Sequence, residues 1–119
     1  MKVAIGSQVF DGSWGGGNLF VKNLKNHLLK NDTKVVHYLE EPDIDIILIT
    51  EPRIESLTST ISLFEARLYK RLVNKNVKLV HRINECDERK STNYVNKKMM
   101  KVSQYSDFTI FVSSWICDL

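Results

Sequence analysis

Cysteine and proline are scarce in this sequence, which has only two of each among 119 residues. Cys86 and Cys117 do not form a Cys-x-x-Cys pair, and no group of cysteines and histidines has the spacing of a zinc site. We therefore expect two reduced thiols and no bound metal. Charge is nearly balanced, since 17 basic and 14 acidic residues leave a formal net charge of +3. So small an excess does not indicate a nucleic acid partner.

Long hydrophobic runs are absent as well. The longest apolar stretch, Ile46–Ile49, is far too short to cross a bilayer. The apolar run after Met1 and Lys2 is too short for the core of a signal peptide. We therefore expect a cytoplasmic protein, either free or peripheral at the inner face of a membrane. Hydrophobic residues make up 43% of the chain, which predicts a single globular domain over residues 1–119.

Short apolar segments bounded by polar residues predict five strands. They cover residues 2–6, 35–38, 45–50, 77–80 and 108–112. Three segments between them have apolar residues at helical spacing. The first predicts a helix over residues 18–30, in which Phe20, Leu24 and Leu28 recur and Asn18 acts as the N-cap. The second has an apolar stripe made of Ile61, Phe64, Leu68 and Leu72. The third is marked by Val95, Met99 and Val102.

Strands and helices alternate along most of the chain, which predicts an α/β fold. We expect a Rossmann-like, mainly parallel sheet with helices on both faces. A final helix beginning at Trp115 has barely one turn before residue 119, and so short a helix is marginal without further chain. The sequence is therefore expected to be a truncated part of a longer product.

A glycine-rich turn joins the first strand to the first helix. Gly15, Gly16 and Gly17 are consecutive, and the backbone N–H groups at the start of a helix favour a phosphate. The alternative interpretation is a flexible connection. The turn is not a Walker A motif, and it lacks the Gly-x-Gly-x-x-Gly spacing of a dinucleotide fold, although Glu40 follows the second strand. An NAD-dependent oxidoreductase is therefore disfavoured.

A polar segment, residues 81–90, follows the fourth predicted strand and mixes both signs of charge. Such a surface suits sugar hydroxyls and phosphates, and an exposed loop with salt bridges is the alternative. His81 is either a structural residue or a hydrogen-bond donor and proton carrier. Trp14 either stacks on an acceptor ring or holds the glycine turn in place. His27 and His37 are interpreted as structural residues away from the strand ends.

These segments resemble family 4 glycosyltransferases. Residues 79–90 resemble the His-Arg-hydrophobic-Asn/Asp segment of that family, and residues 107–115 are similar to its next strand. The three glycines followed by Phe20 and Leu24 resemble its first loop and helix. The resemblance implies the acceptor-side, N-terminal half of a GT-B fold. The implied enzyme retains anomeric configuration, requires no metal or cofactor, and transfers sugar from a nucleotide-sugar to a saccharide or lipid-linked acceptor.

The resemblance also implies roles for single residues. Gly16 and Gly17 would contact the donor diphosphate, and His81 would lie near the reacting sugar as the catalytic residue. The acceptor side would be shaped by Arg82, Asn84, Glu85 and Asp87, with Ser113 at the rim.

The family's second, donor-binding domain and its glutamate pair are absent from these residues, so the fragment alone is expected to be inactive. The alternative function is a stand-alone nucleotide- or phosphate-binding module.

Overall fold

Seven helices and strands make up the described part of the fold. A computed structural model describes residues 1–7, 16–50, 60–83 and 104–111, with residues 16–19, 83 and 111 described by their backbone alone. The elements are β1 Lys2–Ile5, α1 Gly16–Lys30, β2 Lys34–Val36, β3 Ile46–Ile49, α2 Leu63–Leu72, β4 Lys78–Ile83 and β5 Phe108–Phe111. The predicted helices around Val95 and after Trp115 lie outside the described residues.

The five strands form one sheet in the order β2-β1-β3-β4-β5, and every neighbouring pair is parallel. The predicted parallel α/β sheet is thus confirmed, and the chain is a small Rossmann-like module. Its central strands β1 and β3 are almost entirely apolar and buried. Such strands are typical of a sheet that is covered on both faces.

Side chains alternate between the two faces of the sheet, and the two described helices pack on opposite faces. Val3, Ile5 and Leu48 pack with Val21 of α1 in one cluster. On the other face, the cluster contains residues from β1, β3, β4 and α2: Ala4, Ile47, Ile49, Leu79, Ala66 and Tyr69. The two-residue period of the strands therefore places one helix on each face, as predicted.

Helix α1 begins at Gly16, two residues before the predicted start. Asn18 lies in its first turn, so the prediction that Asn18 caps the helix is wrong. The predicted apolar stripe is confirmed, because Phe20, Leu24 and Leu28 pack against the cluster on this face. At the other end, Asn31 donates its side-chain N–H to the His27 carbonyl over 2.8 Å.

Helix α2 is capped by Ser62, whose hydroxyl accepts the Glu65 N–H at 3.2 Å. The helix buries Ala66 and Tyr69, while Phe64 and Leu72 are 70% and 73% exposed. The predicted stripe therefore marks the wrong face of this helix, although Ile61, just before it, is buried.

The orientation of α2 follows from the hydroxyl of Tyr69. It donates to the Glu41 carbonyl at 2.6 Å and accepts the Ile44 N–H at 3.1 Å. With both hydrogen bonds satisfied, an amphipathic aromatic ring is stable inside the core, and the small side chain of Ala66 lets the helix approach the sheet.

Strand β4 extends to Ile83, beyond the predicted end at residue 80. His81 and Arg82 therefore lie within the strand and not in a loop after it. Their backbones pair with Thr109 and Ile110 of β5. This pairing with the next strand, which a local pattern does not reveal, fixes the extended conformation of these polar residues.

Candidate functional site

The topology of the sheet predicts a crevice where the chain changes direction between the two central strands. From β1 the chain leads to α1 on one face, whereas from the adjacent β3 it leads to α2 on the opposite face. Connections that leave in opposite directions open a gap at the carboxyl ends of neighbouring strands, and ligands of open α/β sheets bind there. The carboxyl edge near β1 and β3 is therefore the candidate site.

Two buried hydroxyl groups lie at the base of this crevice. Ser7 follows β1 and Thr50 follows β3, and their side-chain oxygens are hydrogen-bonded to each other. Each residue is less than a tenth exposed. The bond joins the ends of the two strands, so it holds the edge of the crevice in a fixed geometry.

Gly6 makes the close packing below the crevice possible. Its N–H donates to the Leu48 carbonyl at 2.8 Å, and its carbonyl accepts the Thr60 N–H at 3.0 Å. A Cβ atom at this position would lie 3.0 Å from the Leu48 oxygen and 3.3 Å from the Ile61 Cβ. A larger residue here would press against both atoms, so glycine favours the close approach of β1, β3 and the start of α2.

The first turn of α1 begins beside this edge. Gly16 and Gly17 are its first two residues, so their backbone N–H groups belong to the set that has no partner within the helix. The positive end of the helix dipole adds to their attraction for an anion. Trp14 and Gly15 lie outside the described residues.

Arg82 connects β4 to the second turn of α1, through Phe20. Its guanidinium carbon lies 3.9 Å from the centroid of the Phe20 ring, a distance that gives a favourable cation–π contact. Burial lowers the pKa of Arg82 below its usual range, and the guanidinium still carries its charge at neutral pH. Among the described carboxylates, none forms an ion pair with Arg82. The structure thus places a half-buried cation beside the N-terminus of α1.

His81 occupies a different environment from its neighbour. Its side chain is fully buried. Since Leu79 packs on the α2 side, the alternation along β4 places His81 on that same side and Arg82 on the α1 side. Of the two residues, the structure brings Arg82 and not His81 into contact with α1, at Phe20. The role of His81 as a proton carrier stays a prediction.

His37 lies at the carboxyl ends of the strands, where the sequence does not predict it. It immediately follows β2, and its Nδ1 lies 3.2 Å from the carbonyl of Ile5, the last residue of β1. Its Nε2 lies 3.2 Å from the Nζ of Lys25. One tautomer satisfies both contacts: Nδ1–H donates to Ile5, and Nε2 accepts from Lys25. The interpretation of His37 as distant from the edge is therefore wrong, and its place directly after an apolar strand was the available signal.

The remaining predicted site residues, Asn84, Glu85, Asp87 and Ser113, lie outside the described residues. In the part of the chain that the structure covers, no three His, Cys, Asp or Glu side chains are grouped as metal ligands would be. None of the helices in that part combines the length and apolarity needed to span a bilayer.

Comparison with models of protein families, with curated proteins and with solved structures found no match.

Proposed function

We propose that this chain is the acceptor-side domain of a retaining glycosyltransferase with the GT-B fold. It would help to transfer sugar from a nucleotide-sugar to a saccharide or lipid-linked acceptor. The observation that carries the proposal is the contact between Arg82 and Phe20. It joins the end of β4 to the beginning of α1, and both lie within segments that resemble the same enzyme family.

The chemistry of this edge suits a diphosphate. A half-buried guanidinium gains from an anionic partner, and the N–H groups of Gly16 and Gly17 offer hydrogen bonds from the same side of the sheet. Charge that develops on a leaving diphosphate would be stabilised by such fixed donors. In this proposal Arg82 stabilises the charge of the leaving diphosphate. This role adds to the shaping of the acceptor side, which the resemblance implies for Arg82.

The same edge also suits the alternative, a module that binds phosphate or nucleotide without transferring sugar. The sugar is what distinguishes the two. A transferase domain has to bind saccharide as well as diphosphate, whereas a phosphate-binding module has no need of saccharide contacts.

Binding measurements by titration calorimetry separate these functions. UDP-glucose, GDP-mannose, the two free nucleotides and a panel of oligosaccharides are each titrated into the 119-residue chain. The proposal assigns most donor contacts to a second domain. We therefore expect dissociation constants of about 1 mM, which correspond to a binding free energy of about −4 kcal/mol. Saturable binding of both a nucleotide-sugar and an oligosaccharide supports the transferase. Binding of nucleotides alone supports the phosphate-binding module, and no binding contradicts both.

A further inference from the structure

The outer face of α2 presents apolar side chains to solvent. Phe64 is 70% exposed and Leu68 is 38% exposed, while the helix uses Ala66 and Tyr69 to contact the sheet. Covering apolar surface with a ligand is favourable by about 25 cal/mol for each Å² that is removed from water. Two large side chains one turn apart on this face therefore form a surface that gains from being covered.

These side chains form part of a cavity of about 390 Å³. Leu79 of β4 is buried and lies at its floor, and Phe64, Leu68 and Tyr105 form apolar walls. A cavity of this size is near the lower end of the range of about 300–1,000 Å³ for small-molecule sites. The volume fits one aromatic ring system or a short aliphatic chain, and a concave shape suits such a ligand better than a flat bilayer surface.

Three cations surround the same cavity: Arg67, Lys70 and Arg71. The charge of Lys70 is balanced, because its Nζ lies 2.8 Å from a carboxylate oxygen of Asp107. Neither Arg67 nor Arg71 forms an ion pair with any carboxylate that the structure describes. Within the described part of the chain, these two guanidinium groups are positive charges at the cavity that no carboxylate pairs with.

Arg67 is also held in a defined orientation. Its guanidinium carbon lies 3.8 Å from the centroid of the Tyr105 ring, so the ring supports the face of the guanidinium. A stacked guanidinium can still donate two parallel hydrogen bonds from its edge, and carboxylates and phosphates accept such a pair. Since Arg71 follows four residues later, both groups are on the same side of α2.

We propose that this cavity binds a small amphiphilic anion, an aromatic or short aliphatic body that carries a carboxylate or a phosphate monoester. The apolar body fills the space above Leu79 between Phe64 and Tyr105. The anionic group pairs with Arg67 and Arg71. This site is on the flank of α2 and is independent of the sugar-transfer proposal, which concerns the carboxyl edge of the sheet.

The test uses 2-naphthyl phosphate, 2-naphthoate, 2-naphthol and inorganic phosphate as probes, titrated into the 119-residue chain and followed by amide chemical shifts. We expect saturable binding of one or both naphthyl anions, with shifts at Phe64, Leu68 and Tyr105. The relative affinity of the two anions identifies the preferred charged group. Binding of 2-naphthol should be at least tenfold weaker, because it lacks the charge that pairs with the arginines.

Matched variants locate the site. R67Q and F64S should each weaken binding of the anions by roughly tenfold. The controls K22Q and L29S change an exposed cation and an exposed apolar residue on α1 and should have no effect. Circular dichroism verifies that each variant is folded.

The proposal would be overturned by no saturable binding of either anion, by equal binding of 2-naphthol, or by equal effects of the test and control variants. Shifts confined to Phe20 and Arg82 would assign the anion to the carboxyl edge instead. A further arm uses vesicles that contain anionic lipid. Vesicle binding that R67Q abolishes, without binding of the naphthyl anions, would show that the face contacts a membrane and would reject the small-ligand site.

Discussion

The guanidinium of Arg82 lies over the ring of Phe20, 3.9 Å from its centroid. Phe20 is in the first turns of α1, and Arg82 is near the carboxyl end of β4, with β3 lying between β4 and β1. The contact therefore spans the candidate crevice. It also places the first residues of α1 and the carboxyl end of β4 at the same edge of the sheet.

Arg82→Gln should weaken binding of a nucleoside diphosphate by roughly tenfold or more, because a charge-assisted hydrogen bond contributes about 1.5–3 kcal/mol. Calorimetric titration with UDP measures the change. Lys22→Gln is the control, since it removes one positive charge from an exposed position of α1. Equal affinities of the Arg82 and Lys22 variants would show that Arg82 contributes only through net charge.

Gly6→Ala should lower the free energy of unfolding by about 1–3 kcal/mol, because the added methyl group is forced against backbone that cannot easily move. The Leu48 oxygen would be 3.0 Å away. Urea denaturation measures the difference. Lys30→Ala, at the exposed end of α1, should change the stability by less than about 0.5 kcal/mol. A Gly6 variant as stable as the parent would contradict the close packing below the crevice.

Tyr69→Phe should cost about 1–3 kcal/mol of unfolding free energy. The variant leaves the Ile44 N–H without the hydroxyl that accepts it, in a buried location. Tyr105→Phe is the matched control, because Tyr105 is 42% exposed, whereas Tyr69 is buried. If both variants are equally stable, the Tyr69 hydroxyl does not determine which face of α2 is buried.

Asp107 should make stability depend on pH in the acid range. The hydrogen bond from Lys70, followed by that from the Leu79 N–H, holds the pKa of Asp107 below its usual value. A carboxyl group with a lower pKa in the folded state stabilises the fold above its unfolded pKa of about 3.9, and this contribution is lost as pH falls through the folded value. Solvent screening keeps the contribution to no more than about 1 kcal/mol.

The measurement is the unfolding free energy of the parent chain and of Asp107→Asn between neutral pH and pH 2. The variant should be less stable at neutral pH, and the difference should narrow in acid. Asp32→Asn, which changes an exposed carboxylate after α1, provides the control. A difference that stays constant with pH would show that the ion pair with Lys70 is not responsible.

The sheet was predictable from sequence because its evidence is local. Ile46–Ile49 is a continuous apolar strand, and Phe20, Leu24 and Leu28 repeat at the spacing of a helix, so each segment reveals its own conformation. The apolar composition of the central strands further predicts that both faces are covered. Fold class and element order follow from these features without any knowledge of long-range contacts.

The wrong predictions concern residues whose positions depend on partners that are distant in sequence. Tyr69 is buried because Glu41 and Ile44 satisfy its hydroxyl, and the helical spacing of Phe64 and Leu68 contains no information about those partners. His81 and Arg82 are polar, which is typical of a loop, but pairing with β5 extends the strand through them. The importance of Arg82 likewise depends on its contact with Phe20, more than 60 positions earlier in the chain.

The central claim is that the start of α1 and the end of β4 form one anion-binding crevice. Amide chemical-shift mapping with UDP tests it most directly. We predict that Gly16, Gly17, Phe20 and Arg82 shift together along one saturation curve, while Lys34 and Lys78 at the opposite edge stay unchanged. Shifts that leave Gly16 and Arg82 unaffected, or that follow separate curves for the two residues, would contradict the claim.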